Sequence, residues 1–162
     1  MKVLLRPSRV APVLCLVFLA ISGPAEAGDV TAFVAFATPT DTWGQGYGAA
    51  LSSTRFTVLS FEGEAARIPG ERPEDTMTSF TGSALLAPPV GFLIPYGGLG
   101  VGLFRQSVGS DHDTGVLRCL VLGVKVKAGL VVVKGEFRKI SLSGEPLLAM
   151  DKRFSIGAGI SF

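Results

Sequence analysis

Arg153-Phe154-Ser155-Ile156-Gly157-Ala158-Gly159-Ile160-Ser161-Phe162 is the stretch that decides the fold class. In an extended chain Phe154, Ile156, Ala158, Ile160 and Phe162 fall on one face. Arg153, Ser155, Gly157, Gly159 and Ser161 fall on the other. Period-two alternation describes a strand that is apolar on one side and polar on the other. The stretch finishes on an aromatic ring. Such a ring gains little in water, but it anchors well where a strand closes a barrel at a membrane interface.

The same alternation extends back through the chain. Turn signals divide residues 29–162 into eight expected strands: Asp29 to Thr38, Trp43 to Leu51, Arg55 to Arg67, Thr76 to Leu86, Phe92 to Arg105, Thr114 to Val126, Leu130 to Leu142 and Asp151 to Phe162. Ser52-Ser53-Thr54, Ala87 to Gly91 and Lys127-Ala128-Gly129 read as short turns. Pro39-Thr40-Asp41, Ile68 to Asp75, Gln106 to Asp113 and Ser143 to Met150 read as longer or more charged loops. Short turns at one end and longer loops at the other, with strands near ten residues, fit a tilted membrane-spanning barrel. Many of the 21 glycines lie inside alternating stretches, which disfavours helix and suits tightly coiled strands. The expected fold is all-β, an eight-stranded antiparallel up-and-down transmembrane β-barrel.

Met1 to Ala27 reads as a secretory signal peptide. Lys2, Arg6 and Arg9 precede an apolar run from Val10 to Ile21, and Ala25-Glu26-Ala27 offers a small-x-small cleavage site. The run is too short to span a bilayer. Cys15 lacks the small preceding residues of a lipoprotein site and reads as filler within the run. The expected organisation is a signal peptide over 1–27 and one barrel domain over 28–162. The barrel domain has 12 Lys and Arg against 12 Asp and Glu, so no basic excess points to nucleic acid. Cys119 stands alone there, so no internal disulfide forms.

Strand parity also sorts the charges. Phe56, Val58, Ser60, Glu62 and Glu64 share one face, opposite Thr57, Leu59, Phe61, Gly63 and Ala65. Glutamates facing lipid are costly, so their face is expected to be the lumen. Lys134, Glu136 and Arg138 alternate with Val133, Gly135 and Phe137, and Arg153 joins the inward set. Tyr96, Gly98, Gly100, Gly102 and Phe104 alternate with Gly97, Leu99, Val101 and Leu103. Arg118 and Lys125 have opposite parity, which calls for a rim position or a bulge. The sidedness of the first, second and sixth strands stays open. Glu62, Glu64, Lys134, Glu136, Arg138 and Arg153 are expected to form a salt-bridge network filling a narrow lumen; the alternative is a lined pore. Trp43, Tyr47 and Phe162 are expected at membrane interfaces.

Signs of other chemistry are sparse. His112, the only histidine, lies between Asp111 and Asp113 and near Ser107 and Ser110. Nothing in the spacing joins these into a nucleophile, base and orienting acid. Asp111-His112-Asp113 cannot all converge on one metal, because successive residues of an extended chain point to opposite faces. No Cys-x-x-Cys, His-Glu-x-x-His or phosphate-loop pattern is present. No catalytic residue, metal or cofactor is expected.

Taken with the leader, the eight alternating segments, Pro95-Tyr96-Gly97-Gly98-Leu99-Gly100-Val101-Gly102-Leu103 and Glu136-Phe137-Arg138, the chain resembles the small outer-membrane β-barrels of the OmpA-like or opacity-protein-like type. Its final strand resembles their carboxy-terminal insertion signal, with Ser155, Gly157, Ile160 and Phe162 at the polar, glycine, apolar and aromatic positions. The resemblance implies export to the outer membrane of a diderm bacterium, contact with outer-membrane lipid, and recognition of the last strand by the barrel-assembly machinery. It implies a non-enzymatic structural or surface-interaction role. A small solute pore, or a soluble lipocalin-like periplasmic barrel binding an apolar ligand, are the competing expectations.

Overall fold

The computed structural model describes residues 27–38, 43–55, 57–70, 72, 74–144 and 146–162. The expected signal peptide, apart from Ala27, lies outside them. Eight strands follow one another in chain order: β1 (Ala27–Thr38), β2 (Gln45–Arg55), β3 (Leu59–Pro69), β4 (Thr76–Leu86), β5 (Leu93–Val108), β6 (Asp111–Ala128), β7 (Val131–Leu142) and β8 (Lys152–Ser161). Each pairs antiparallel with its sequence neighbours, and β8 pairs with β1, so the sheet closes into a barrel. Closure leaves no unpaired edge. Among the described residues no helix is long and apolar enough to cross a membrane.

The register fixes the tilt. A row of paired residues leaves Val132 on β7, crosses Gly159, Thr31, Ala50, Glu64, Thr81, Gly102 and Leu117, and returns to β7 at Leu142, ten residues further along. That stagger in a barrel of eight tilts the strands by roughly 40°. The interior is then just wide enough for side chains to fill it.

Alternation holds on every strand. β4 places Met77, Ser79, Thr81, Ser83 and Leu85 inside, with Phe80, Ala84 and Leu86 outside. Outward positions elsewhere carry Val30, Val34, Phe36, Leu99, Val101, Leu120, Leu122, Ile156 and Ile160, all exposed. The large exposed apolar surface is therefore on the outside of the barrel, the orientation expected of a lipid-facing wall.

Several expected boundaries move. Ser52, Ser53 and Thr54 belong to β2, paired with Asp29, Gly28 and Ala27, and a turn is described at positions 57 and 58. Thr57 there takes φ 67°, and Val58 is exposed in the turn rather than on the face of Ser60, Glu62 and Glu64. Phe56 lies outside the described residues. The expected polar loop from Gln106 to Asp113 is a hairpin: β5 and β6 stay paired up to Val108 and Asp111, joined by Gly109-Ser110. Gly109 supplies the left-handed φ (57°) that a two-residue hairpin turn needs. The end of the barrel expected to carry the long loops therefore includes one tight turn on long strands. Strand β6 has no bulge. Its pairing with β5 and β7 is continuous, Lys125 points inward, and Arg118 is exposed on the outer face.

Candidate functional site

The lumen holds the densest chemistry in the molecule. Eight charged strand residues are buried in it: Asp29, Glu62, Glu64 and Glu136 against Lys125, Lys134, Arg138 and Arg153. Charges of equal number and opposite sign are the condition for burying so many at tolerable cost.

Arg138 is the hub. Its Nε donates to Glu136, and its Nη2 donates to Glu62 Oε1 at 2.8 Å and lies 2.9 Å from Glu64 Oε2. Arg153 Nη2 donates to both oxygens of Glu64, at 2.6 and 2.7 Å. Lys134 Nζ donates to Glu62 Oε2 at 3.0 Å and sits 3.5 Å from Glu136 Oε2. Lys134 and Arg153 both approach the Phe33 ring, with their cationic groups 5.7 and 5.4 Å from its centre. The fold thus brings Glu62, Glu64, Lys134, Glu136, Arg138 and Arg153 into one connected cluster. They come from β3, β7 and β8, on different sides of the barrel.

A second cluster was not legible in the sequence. Lys125 Nζ donates to Asp29 Oδ2 at 3.1 Å and to Ser52 Oγ at 2.7 Å, and Ser52 Oγ donates to Asp29 Oδ1 at 2.6 Å. Tyr96 joins the two groups. Its hydroxyl donates to Glu136 Oε2 at 2.9 Å, and its ring lies 5.5 Å from Lys125 Nζ. The signal that was available is only that Lys125 has the parity opposite to Arg118, so that one of the two faces inward. The partner of Lys125 on β1 depends on the barrel tilt, which no local pattern reveals.

Carboxylate oxygens of Glu62, Glu64 and Glu136 lie within 4.8 Å of one another, a spacing that could hold a metal ion. The Arg138 guanidinium already lies among them, 2.8 Å from Glu62 and 2.9 Å from Glu64. The geometry is a guanidinium cage, and Arg138 takes the role a cation would fill.

Towards the end bearing the 143–151 connection the lumen becomes apolar. Ile68, Met77, Phe104 and Leu117 form a buried layer, with Trp43 and Met150 packed in the same cluster. Trp43 is 3% exposed, and its Nε1 donates to Ala149 O at 2.8 Å. It therefore plugs the barrel mouth and is not the interface anchor expected of it. Tyr47, 56% exposed, does sit on the outer face. Gln106 clamps the same connection: its Nε2 donates to Leu148 O at 2.7 Å, and Leu148 N–H donates to its Oε1 at 3.1 Å.

Ser107 and His112 are cross-strand partners, with Ser107 Oγ 2.9 Å from His112 Nδ1. Among the described residues no carboxylate is hydrogen-bonded to that ring, and the pair is exposed. It lacks the orienting acid of a hydrolytic triad. Asp111, Asp113 and Ser110 do not join it. At the last strand, Ser155 and Gly157 face the lumen, whereas Ile160 and Phe162 face outward. Gly28 N–H donates to Phe162 O at 2.8 Å and Phe162 N–H to Gly28 O at 2.9 Å. A Cβ on Gly28 would meet the Phe162 ring at 2.6 Å, so the glycine leaves the ring its place.

No protein-family model matches the chain. No curated protein matches it. Solved structures do. Neisserial surface protein A (NspA) superposes with a TM-score of 0.61 at 18% identity, over 83% of this chain and 94% of that one. The N-terminal β-barrel domain of Pseudomonas aeruginosa OprF gives 0.60 at 15% identity, over 85% and 98%. Ail, the attachment invasion locus protein of Yersinia pestis, in complex with the heparin analogue sucrose octasulfate, gives 0.56 at 12% identity, over 84% and 98%. The fold is that of small eight-stranded outer-membrane barrels.

Proposed function

We propose that this chain is a non-enzymatic integral outer-membrane barrel, closed to solutes, with a structural or surface-interaction role. One observation carries the reading: charges are paired inside the barrel while the outer wall is apolar. A soluble carrier of an apolar ligand needs the opposite orientation. Two lumenal layers, one ionic and one apolar, stand in the path of a solute, which weighs against the pore. The similar barrels carry names of surface and attachment proteins, which supports contact through the exposed end.

The expected result on fractionation is recovery in the outer membrane as a heat-modifiable band. Recovery in the soluble periplasm would overturn the membrane reading. In planar bilayers the purified protein should give little conductance, and a large steady current would refute the closed lumen while leaving residence in the membrane intact.

Recognition of the last strand by the barrel-assembly machinery, through Ser155, Gly157, Ile160 and Phe162, is part of the same proposal. Deleting Phe162 should lower the folded, outer-membrane fraction severalfold while export of the chain continues. The deletion removes both the backbone pair with Gly28 and an outward ring that is 70% exposed. Undiminished folded protein in that membrane would sink the insertion-signal role.

A further inference from the structure

The outward faces of the eight strands carry no side-chain carboxylate among the described residues, but they carry Arg55, Arg67, Arg105, Arg118, Lys139 and Lys152. All except Arg55 lie towards the end that bears the Trp43 plug. With a rise of about 3.3 Å per residue and a tilt of roughly 40°, Arg67, Arg118, Lys139 and Lys152 come within roughly 3 Å of one height. Arg105 stands roughly 7 Å beyond them. On the same basis the belt lies roughly 25 Å from the level of Phe162, the height of an outer-membrane apolar band.

Three of these residues form a tight group. Lys139 is directly opposite Lys152 across the β7–β8 ladder. Arg118 is opposite Ser141, two residues along β7 from Lys139. Like charges directly opposite on one sheet face repel. None of the three forms an ion pair with a described residue. On the apolar side of Arg118 and Lys139 a groove of about 620 Å³ runs over Gly82, Ala84, Leu99 and Val101. Gly82 keeps it open, since a Cβ there would meet only Val101 O, at 4.0 Å.

We propose that Arg118, Lys139 and Lys152, with the adjoining groove, bind a lipid that carries phosphate on its headgroup. This rests on the outer-membrane reading above. The phosphate bridges the two lysines and accepts from the Arg118 guanidinium, which suits a multi-oxygen anion. One acyl chain lies in the groove. Height selects the source: the cations sit at the edge of the apolar band, where headgroup phosphates lie, whereas a soluble polyanion would meet the loops first.

The test uses the full barrel in phosphatidylcholine nanodiscs, titrated with diphosphoryl lipid A or the same lipid dephosphorylated, and read by native mass spectrometry. Phosphorylated lipid should bind at least tenfold more tightly than dephosphorylated lipid. Arg118→Gln/Lys139→Gln/Lys152→Gln should abolish that difference, with Lys139→Gln alone giving a smaller loss should the triple variant not fold. Gly82→Leu, which fills the groove, should weaken binding of both lipids. Equal binding by wild type and charge variants would overturn the phosphate site. Binding unchanged by Gly82→Leu, or abolished by millimolar inorganic phosphate, would overturn the lipid assignment in favour of free phosphate. Failure of the wild type to enter phosphatidylcholine discs would instead overturn the membrane reading, and this proposal with it.

Discussion

Replacing Arg138 with alanine is expected to destabilise the folded barrel by about 3–5 kcal/mol, the usual cost of removing one partner from a buried ionic network. Arg138 contacts Glu62, Glu64 and Glu136 at once, and its side chain is 2% exposed. Its removal leaves three carboxylates facing two remaining nearby cations, Lys134 and Arg153. Water cannot readily replace the guanidinium, because the apolar layer of Ile68, Met77, Phe104 and Leu117 covers one side. The measurement is a urea unfolding midpoint in detergent or lipid, followed by tryptophan fluorescence or gel shift. Arg72→Ala, an exposed loop change, should stay within about 0.5 kcal/mol of wild type. A loss well below 1 kcal/mol for Arg138→Ala would show that solvent or a rearranged lysine satisfies the cage.

Gly102→Val should be as damaging for a different reason. A Cβ at Gly102 would lie 2.0 Å from Phe80 O and 2.8 Å from Thr81 Cα. Both are backbone atoms of the neighbouring strand, so relief requires breaking the β4–β5 ladder. A cost of about 3 kcal/mol or more is expected, seen as loss of the heat-modifiable form. Gly135→Ala is the contrast. It faces outward on β7 with nothing within 4 Å of a built Cβ, and should be neutral or slightly stabilising. Equal behaviour of the two variants would mean that β5 does not approach β4 so closely.

These two sites mark what the sequence makes legible. Alternation alone put Glu62, Glu64, Glu136 and Arg138 on one parity, and the β4 boundaries, Thr76 and Leu86, could be read directly because a polar loop up to Asp75 precedes the strand and Pro88-Pro89 closes it. The β5–β6 hairpin was missed because its tip has polar residues on both faces. Gln106 points inward to clamp Leu148, while Ser107 and His112 lie outside. A strand without an apolar face looks like a loop. Ser52 misled for a related reason, since a serine that completes an ion pair with Asp29 and Lys125 resembles a turn serine. Trp43 could not be placed from local pattern, because its position depends on the 143–151 connection folding back across the mouth.

The ionic cluster also constrains the order of assembly. The partners Lys134 and Glu62 are 72 residues apart, Arg138 and Glu62 are 76 apart, Arg153 and Glu64 are 89 apart, and Lys125 and Asp29 are 96 apart. The β7 hairpins carry Lys134, Glu136 and Arg138 as a net positive group, and β3 carries the two glutamates that complete it. A half-built sheet in lipid therefore exposes uncompensated charge at a cost of several kcal/mol for each group. That cost disappears only when the first and last strands have met. Barrel closure through β1–β8 and completion of the charge pairs are therefore reached together, because the pairs span the lumen that closure creates.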